Sequence, residues 1–200
     1  MFSLIDNFTN RIVGKTDVKS QIILCHTSRN SNEYLISLKY RKNKKYDKIP
    51  NFLVTKDGKI IDLLPSETYS NFFDNHDVNK NSIIISLENL GWLEKKQLSS
   101  HYINWIGDIY KGVPYERKWR DYFLWDPYTT EQINSLVKLC LDMCQKHNIP
   151  IECIGHNTKI TNIEKLNGIV SRSNFDQIFT DVSPAFDFDK FTNMLKNEQL

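Results

Sequence analysis

Apolar residues come in short runs separated by polar turns, and their spacing switches between the period of a strand and that of a helix along the chain. QIILCH at 21–26 is a run rich in β-branched residues and predicts a buried central strand. SNEYLISLKYR at 31–41 carries its apolar residues at helical spacing. NFLVT and KIIDLL flank Lys56, Asp57 and Gly58, a turn signal that predicts a hairpin. NSIIISLEN at 81–89 predicts a second apolar strand. A long helical stripe runs through TTEQINSLVKLCLDMCQKHNI at 129–149, with Thr129 as its cap and Gln132 three residues on. Pro150 closes that helix, and IECI at 151–154 predicts a strand returning parallel to the sheet. Leu4, Ile5, Phe8 and Ile12 suggest a short amphipathic helix at the start, and PAFDFDKFTNMLKN a closing helix at the end.

Gly91 to Pro127 is aromatic-rich, with Trp92, Trp105, Trp119 and Trp125. Such side chains either line a groove or cover the core, and packing is the default role. No repeat, low-complexity linker or Gly/Ser-rich joint divides the chain, so the pattern predicts one α/β domain over residues 20–200, a central mixed sheet flanked by helices. Residues 1–19 then form an N-terminal extension.

Composition narrows the class. With 200 residues, 40% hydrophobic and 25% charged, the chain is expected to be an ordinary globular protein. No apolar stretch approaches the roughly 20 residues of a membrane span. The N-terminus lacks a signal-peptide pattern, which predicts a protein that is cytoplasmic in its producing cell or virion-associated, with its four cysteines reduced. Cys140 and Cys144 share a helical face with Ile133 and Val137, as packing residues do. A formal charge of +2 implies neither a nucleic-acid nor a membrane partner, and the basic run RKNKKYDK at 41–48 reads as a solvated loop.

Three side chains carry candidate chemistry: His26 at the end of one apolar run, His156 just after another, and Asp181 in a turn before the last amphipathic segment. Two imidazoles and a carboxylate suit zinc, which in catalytic sites keeps three protein ligands and one open position. Cys25 offers a sulfur alternative, but strand alternation turns it into the core if His26 faces the site.

QIILCHTS, NFLVTKDGKIIDLLP, NSIIISLEN, YTTEQINSLVKLCLDMCQKHNIPIECIGHNT and TDVSPAFDF occur in an order that resembles the zinc-dependent N-acetylmuramoyl-L-alanine amidases, the family of phage lysozyme-like amidases and peptidoglycan-recognition proteins. The resemblance spans roughly residues 20 to 192. It implies Zn2+ held by His26, His156 and Asp181, peptidoglycan or muropeptides as partner, and hydrolysis of the amide between N-acetylmuramic acid and L-alanine in a phage-type lytic setting. Zinc would lower the pKa of its bound water to about 7 and polarise the carbonyl.

The chain departs from the family at its acid/base positions, where Pro50, Ser86 and Phe179 stand. Glu88, on the face of Ile84 and Ser86, is the candidate replacement for proton transfer; His76 and Tyr46 are weaker ones. GIVSRSNF at 168–175 also looks like a second copy of the histidine motif, with Arg172 at the ligand position. An always-protonated guanidinium cannot ligate a cation. Two functions follow from the resemblance: a zinc amidase, or an amidase-like module that binds cell-wall fragments or a protein partner without cleaving.

Overall fold

The two most apolar runs lie side by side: Gln21–His26 pairs in parallel with Ser82–Leu87, from Gln21 opposite Ser82 to His26 opposite Leu87. The computed structural model describes residues 8–96, 101–155 and 158–198. In chain order its elements are β1 (Gly14–Lys15), β2 (Gln21–His26), α1 (Ser31–Lys44), β3 (Phe52–Val54), β4 (Ile60–Asp62), β5 (Thr68–Tyr69), α2 (His76–Asn81), β6 (Ser82–Leu87), β7 (Trp92–Lys95), β8 (Tyr102–Asn104), β9 (Ile109–Tyr110), β10 (Tyr115–Trp119), β11 (Tyr122–Trp125), α3 (Thr130–His147), β12 (Gly168–Ser171) and α4 (Phe188–Glu198).

The central sheet has the order β12-β2-β6-β3-β4. β12, β2, β6 and β3 run parallel, and β4 returns antiparallel to β3 through the expected hairpin. Alternation sends Ile22, Leu24, Ile83 and Ile85 to one face, against Leu136, Val137 and Cys140 of α3 and Phe191 and Leu195 of α4. Ile23, Cys25 and Ile84 face the other way, toward Phe72, Phe73 and Val78, while Leu53 and Ile61 meet Leu38 of α1. Each such aliphatic side chain contributes about 1.5–3 kcal/mol on burial. The fold is the expected α/β one, a mixed sheet flanked by helices.

Helix α3 starts where its cap was expected: the Thr129 side chain accepts from Gln132 N at 3.2 Å. It stops at Asn148, which takes a left-handed conformation at φ 55°. Helical geometry in α1 breaks at Arg41–Asn43, inside the basic run read as a loop.

One expectation changes and two readings are extended. IECI is not a strand of the sheet; Cys153 forms one isolated bridge to Ile169, and GIVS supplies β12 beside β2. Both runs are four residues long and apolar, so pattern alone does not rank them. Gly168 decides it: a Cβ there would lie 2.6 Å from Glu152 O, and only glycine lets the two backbones approach. Second, the aromatic stretch is a five-stranded antiparallel sheet of order β10-β11-β7-β8-β9. Third, the described part of the N-terminal extension is packed, with Phe8 buried, a 3-10 turn at Thr9–Arg11 and β1 paired to β5; Leu4 and Ile5 lie outside the described residues.

Candidate functional site

Parallel strands deliver their last residues to one edge of a sheet, where α/β folds place their clefts. β2 ends there in Cys25 and His26. The His26 backbone N–H donates to Asp181 Oδ2 at 3.3 Å, so the strand end and the Asp181 turn are joined directly. Gly91, at φ +79°, lies against the imidazole; a Cβ there would be 2.9 Å from His26 Cε1. The ring's Nδ1 is buried and has no partner among the described residues. Burial lowers the His26 pKa; Asp181 opposes that shift and Arg172 adds to it. Burial thus disfavours the protonated imidazole.

Asp181 is 2% exposed and is placed by serines at the end of β12. Ser171 Oγ and Ser173 N both donate to its backbone carbonyl at 2.7 Å, and Val182 N donates back to Ser171 Oγ at 2.6 Å. Cys25 is buried behind them, as alternation required. Burial pushes its thiol pKa well up and Asp181 pushes it further, so the sulfur stays protonated.

Arg172 follows β12 directly, and Ser171, the last residue of β12, stands opposite Leu24 near the end of β2. Arg172 lines the same cleft as His26 and Asp181. Its guanidinium carbon lies 3.2 Å from the centroid of Phe179 and 5.5 Å from that of Phe73. Nη2 donates to Asp176 Oδ2 at 3.4 Å, and Nε is buried without a partner among the described residues. From the second sheet, Arg120 Nη1 donates to Gln177 O and Phe179 O, both at 2.7 Å, clamping the loop that carries Phe179 to Asp181. Sequence gave no signal for Arg120, since its partners are backbone carbonyls.

The cleft encloses about 430 Å³, within the range of small-ligand sites. Trp92, Trp105 and Tyr122 line it, with Trp92 and Tyr122 stacked at 4.5 Å. The aromatic stretch thus both packs and lines: Trp125 is fully buried, whereas Trp105 is 60% exposed. At one side Tyr34 OH and Ser86 Oγ lie 3.3 Å apart, and burial raises the Tyr34 pKa.

Glu88 lies elsewhere. One carboxylate oxygen accepts Ser31 N and the other Lys56 N, both at 3.0 Å, so it ties the start of α1 to the hairpin turn. It lines a second recess, with the buried Asp126 and its ion-pair partner Lys56. Pro50 is buried, Tyr46 lines the His26 cleft, and His76 is exposed at the start of α2.

The structure brings His26 and Asp181 together; His156 lies outside the described residues. Asn174 Nδ2 donates to Gly155 O and Thr158 O on either side of it, at 2.9 and 2.8 Å. A zinc centre asks for three donors. The orphaned His26 Nδ1 and the Asp181 carboxylate have suitable chemistry, but Arg172, which lines the same cleft, has no lone pair to offer. Among the described residues no set of three His, Cys, Asp or Glu gathers. A set of His26, Asp181 and Arg172 does not fit zinc.

Residues 15–167 match the family model described as N-acetylmuramoyl-L-alanine amidase. The matched segment ends just before β12, leaving Arg172 and Asp181 beyond it. No curated protein matches the chain. Among solved structures, the chain is similar to the amidase AmiD from E. coli in complex with anhydro-N-acetylmuramic acid-L-Ala-D-gamma-Glu-L-Lys, at TM-score 0.56 and 16% identity over 91% of this chain and 59% of that one. It is also similar to the amidase LysC from Clostridium intestinale URNW, at TM-score 0.53 and 15% identity over 90% and 87% of the two chains. For the Staphylococcus aureus hydrolase AmiA in complex with its ligand the values are 0.54 and 12%, over 93% and 78%. Identities this low show a shared fold. The chain spans 59% of the length of AmiD.

Proposed function

The chain belongs to the N-acetylmuramoyl-L-alanine amidase family, and from that premise we propose that its cleft receives a peptidoglycan muropeptide, with the muramoyl–L-alanine amide over His26 and Asp181. The observation that carries this reading is the cleft itself. Its floor is the end of β2 with the Asp181 turn, and its wall presents Trp92, Trp105 and Tyr122, flat faces suited to a sugar ring. Fold alone would not support it, because function resides in the site.

Two outcomes are open to a bound muropeptide. Hydrolysis of the amide is the reaction that the family's description names, and a phage-type lytic setting goes with it. In a zinc-dependent form it needs His156 as third ligand beside His26 and Asp181. Recognition without turnover is favoured by the cleft's own residues. Arg172 lines the cleft, Ser86 and Phe179 carry no acid or base, and both Glu88 oxygens are engaged by backbone N–H groups. A positioned general acid or base contributes about 10²–10⁴-fold to such a reaction, so its absence leaves binding intact and turnover feeble.

The test is calorimetric titration with purified muropeptides, followed by mass spectrometry of the mixture. Binding with release of stem peptide supports hydrolysis, and binding with no product supports recognition. The absence of both binding and product removes the proposal.

A further inference from the structure

We infer that the cleft floor is a metal-free site centred on a guanidinium, in which Arg172 replaces a metal ligand and receives a carboxylate of the muropeptide's stem peptide. This deepens the function proposed above and rests on it for the ligand, but not for the exclusion of metal.

The topology supplies the first support. β12 lies parallel to β2 in unbroken register, Gly168 opposite Gln21 through Ser171 opposite Leu24. The next residue, Arg172, leaves the strand close to the end of β2, and it lines the cleft with His26 and Asp181. A donor at this position could share an ion with His26 and Asp181. Arginine cannot, because its guanidinium keeps its proton and has no lone pair to offer.

Its seat supplies the second support. The guanidinium lies over Phe179 at 3.2 Å and near Phe73 at 5.5 Å, and is steadied by Asp176 at 3.4 Å. A cation packed on aromatic faces in a side chain only 18% exposed is held in place rather than free to swing into solvent. Nη2 is already engaged by Asp176, and Nε–H is buried with no partner among the described residues. A planar fork with an unmet donor matches a carboxylate.

The charge around it supplies the third. Arg29, Arg41, Lys48 and Arg172 line the cleft, with Asp181 the one lining carboxylate among the described residues; Lys48 also pairs with Asp74 and Arg172 with Asp176. Such a field repels a divalent ion and draws in an anionic peptide. A muropeptide stem carries that anion on the same ligand whose sugar would face Trp92 and Trp105.

Zinc analysis by plasma mass spectrometry, on protein expressed with added zinc and then dialysed, tests the metal half without any variant. Wild type is expected to keep under roughly a tenth of a zinc per chain, and Arg172→His to gain close to one that a chelator removes. Near-stoichiometric zinc in wild type, lost in His156→Ala, overturns the inference. For the ligand half, metal-free protein is titrated with N-acetylmuramoyl-L-alanyl-D-isoglutamine. Binding is expected to be unchanged by chelator, weakened by added salt, and about tenfold weaker in Arg172→Met. Arg172→Lys keeps the charge without the fork and covers a failure of Arg172→Met to fold; a several-fold loss is expected there. Binding indifferent to both substitutions overturns the guanidinium assignment. A zinc-free wild type that binds no muropeptide in any form removes the function proposed above and leaves the exclusion of metal standing.

Discussion

Replacing Glu88 by Gln removes one of two carboxylate oxygens that accept backbone N–H groups, Ser31 N on one side and Lys56 N on the other, each at 3.0 Å. The amide keeps a single acceptor and turns an NH2 toward the second N–H, donor against donor. A hydrogen bond to a charged acceptor is worth about 1.5–3 kcal/mol, and the anion at the start of α1 adds about 0.3–1 kcal/mol through the helix dipole. Glu88 is half-buried, so water recovers part of this loss, and the expected net destabilisation is about 1–3 kcal/mol. Urea unfolding with linear extrapolation measures it, and the midpoint should fall with no change in slope. Muropeptide affinity should stay within about twofold of wild type, because Glu88 lines the other recess. A loss under about 0.5 kcal/mol combined with abolished binding or turnover would refute the reasoning and return Glu88 to the chemistry.

Three further outcomes follow. Gly91→Ala places a Cβ 2.9 Å from His26 Cε1 at φ +79°, and should cost about 1–3 kcal/mol in unfolding while displacing the imidazole; an unshifted His26 resonance would contradict this. Lys19 is buried on the carbonyls of Thr68, Lys80 and Ser82, and burial lowers its pKa to about 8. Between about pH 8 and 10.5 the unfolded chain holds a proton that the folded one has lost, so wild-type stability should rise with pH relative to Lys19→Met; a falling difference would contradict the burial. Trp105→Ala removes a 60% exposed ring, and should change stability by less than about 0.5 kcal/mol while weakening muropeptide binding several-fold; unchanged affinity excludes stacking there.

Elements with a strong local signature were legible in the chain. α3 is long, periodic and capped by Thr129, and the β3–β4 hairpin turns at Lys56–Gly58, so each was specified by residues close in sequence. Strand β12 was not, because GIVS is as short as IECI and the choice lies in the contact of Gly168 with Glu152. The second sheet was hidden for another reason. β10, YERKW, has no buried residue, so it shows no inward-facing alternation to read.

For the site, residue type singled out His26 and Asp181 as candidates, but the contact that joins them is a backbone N–H to a carboxylate, which residue type does not show. The engagement of Glu88 could not follow. Its partners are backbone N–H groups 57 and 32 residues away, and a backbone donor carries no mark in the sequence. Arg172 stood in a motif-like segment, but only the pairing of β12 with β2 shows that it reaches the cleft.

The central claim is that a muropeptide lies in the cleft at the end of β2. A crystal structure of the protein with N-acetylmuramoyl-L-alanyl-D-isoglutamine tests it most directly. The account predicts the sugar against Trp92 or Trp105, the muramoyl–L-alanine amide over His26, and a stem carboxylate on Arg172. A ligand seated in the Glu88 recess would contradict it, whereas a metal ion between His26 and Asp181 would overturn only the metal-free floor.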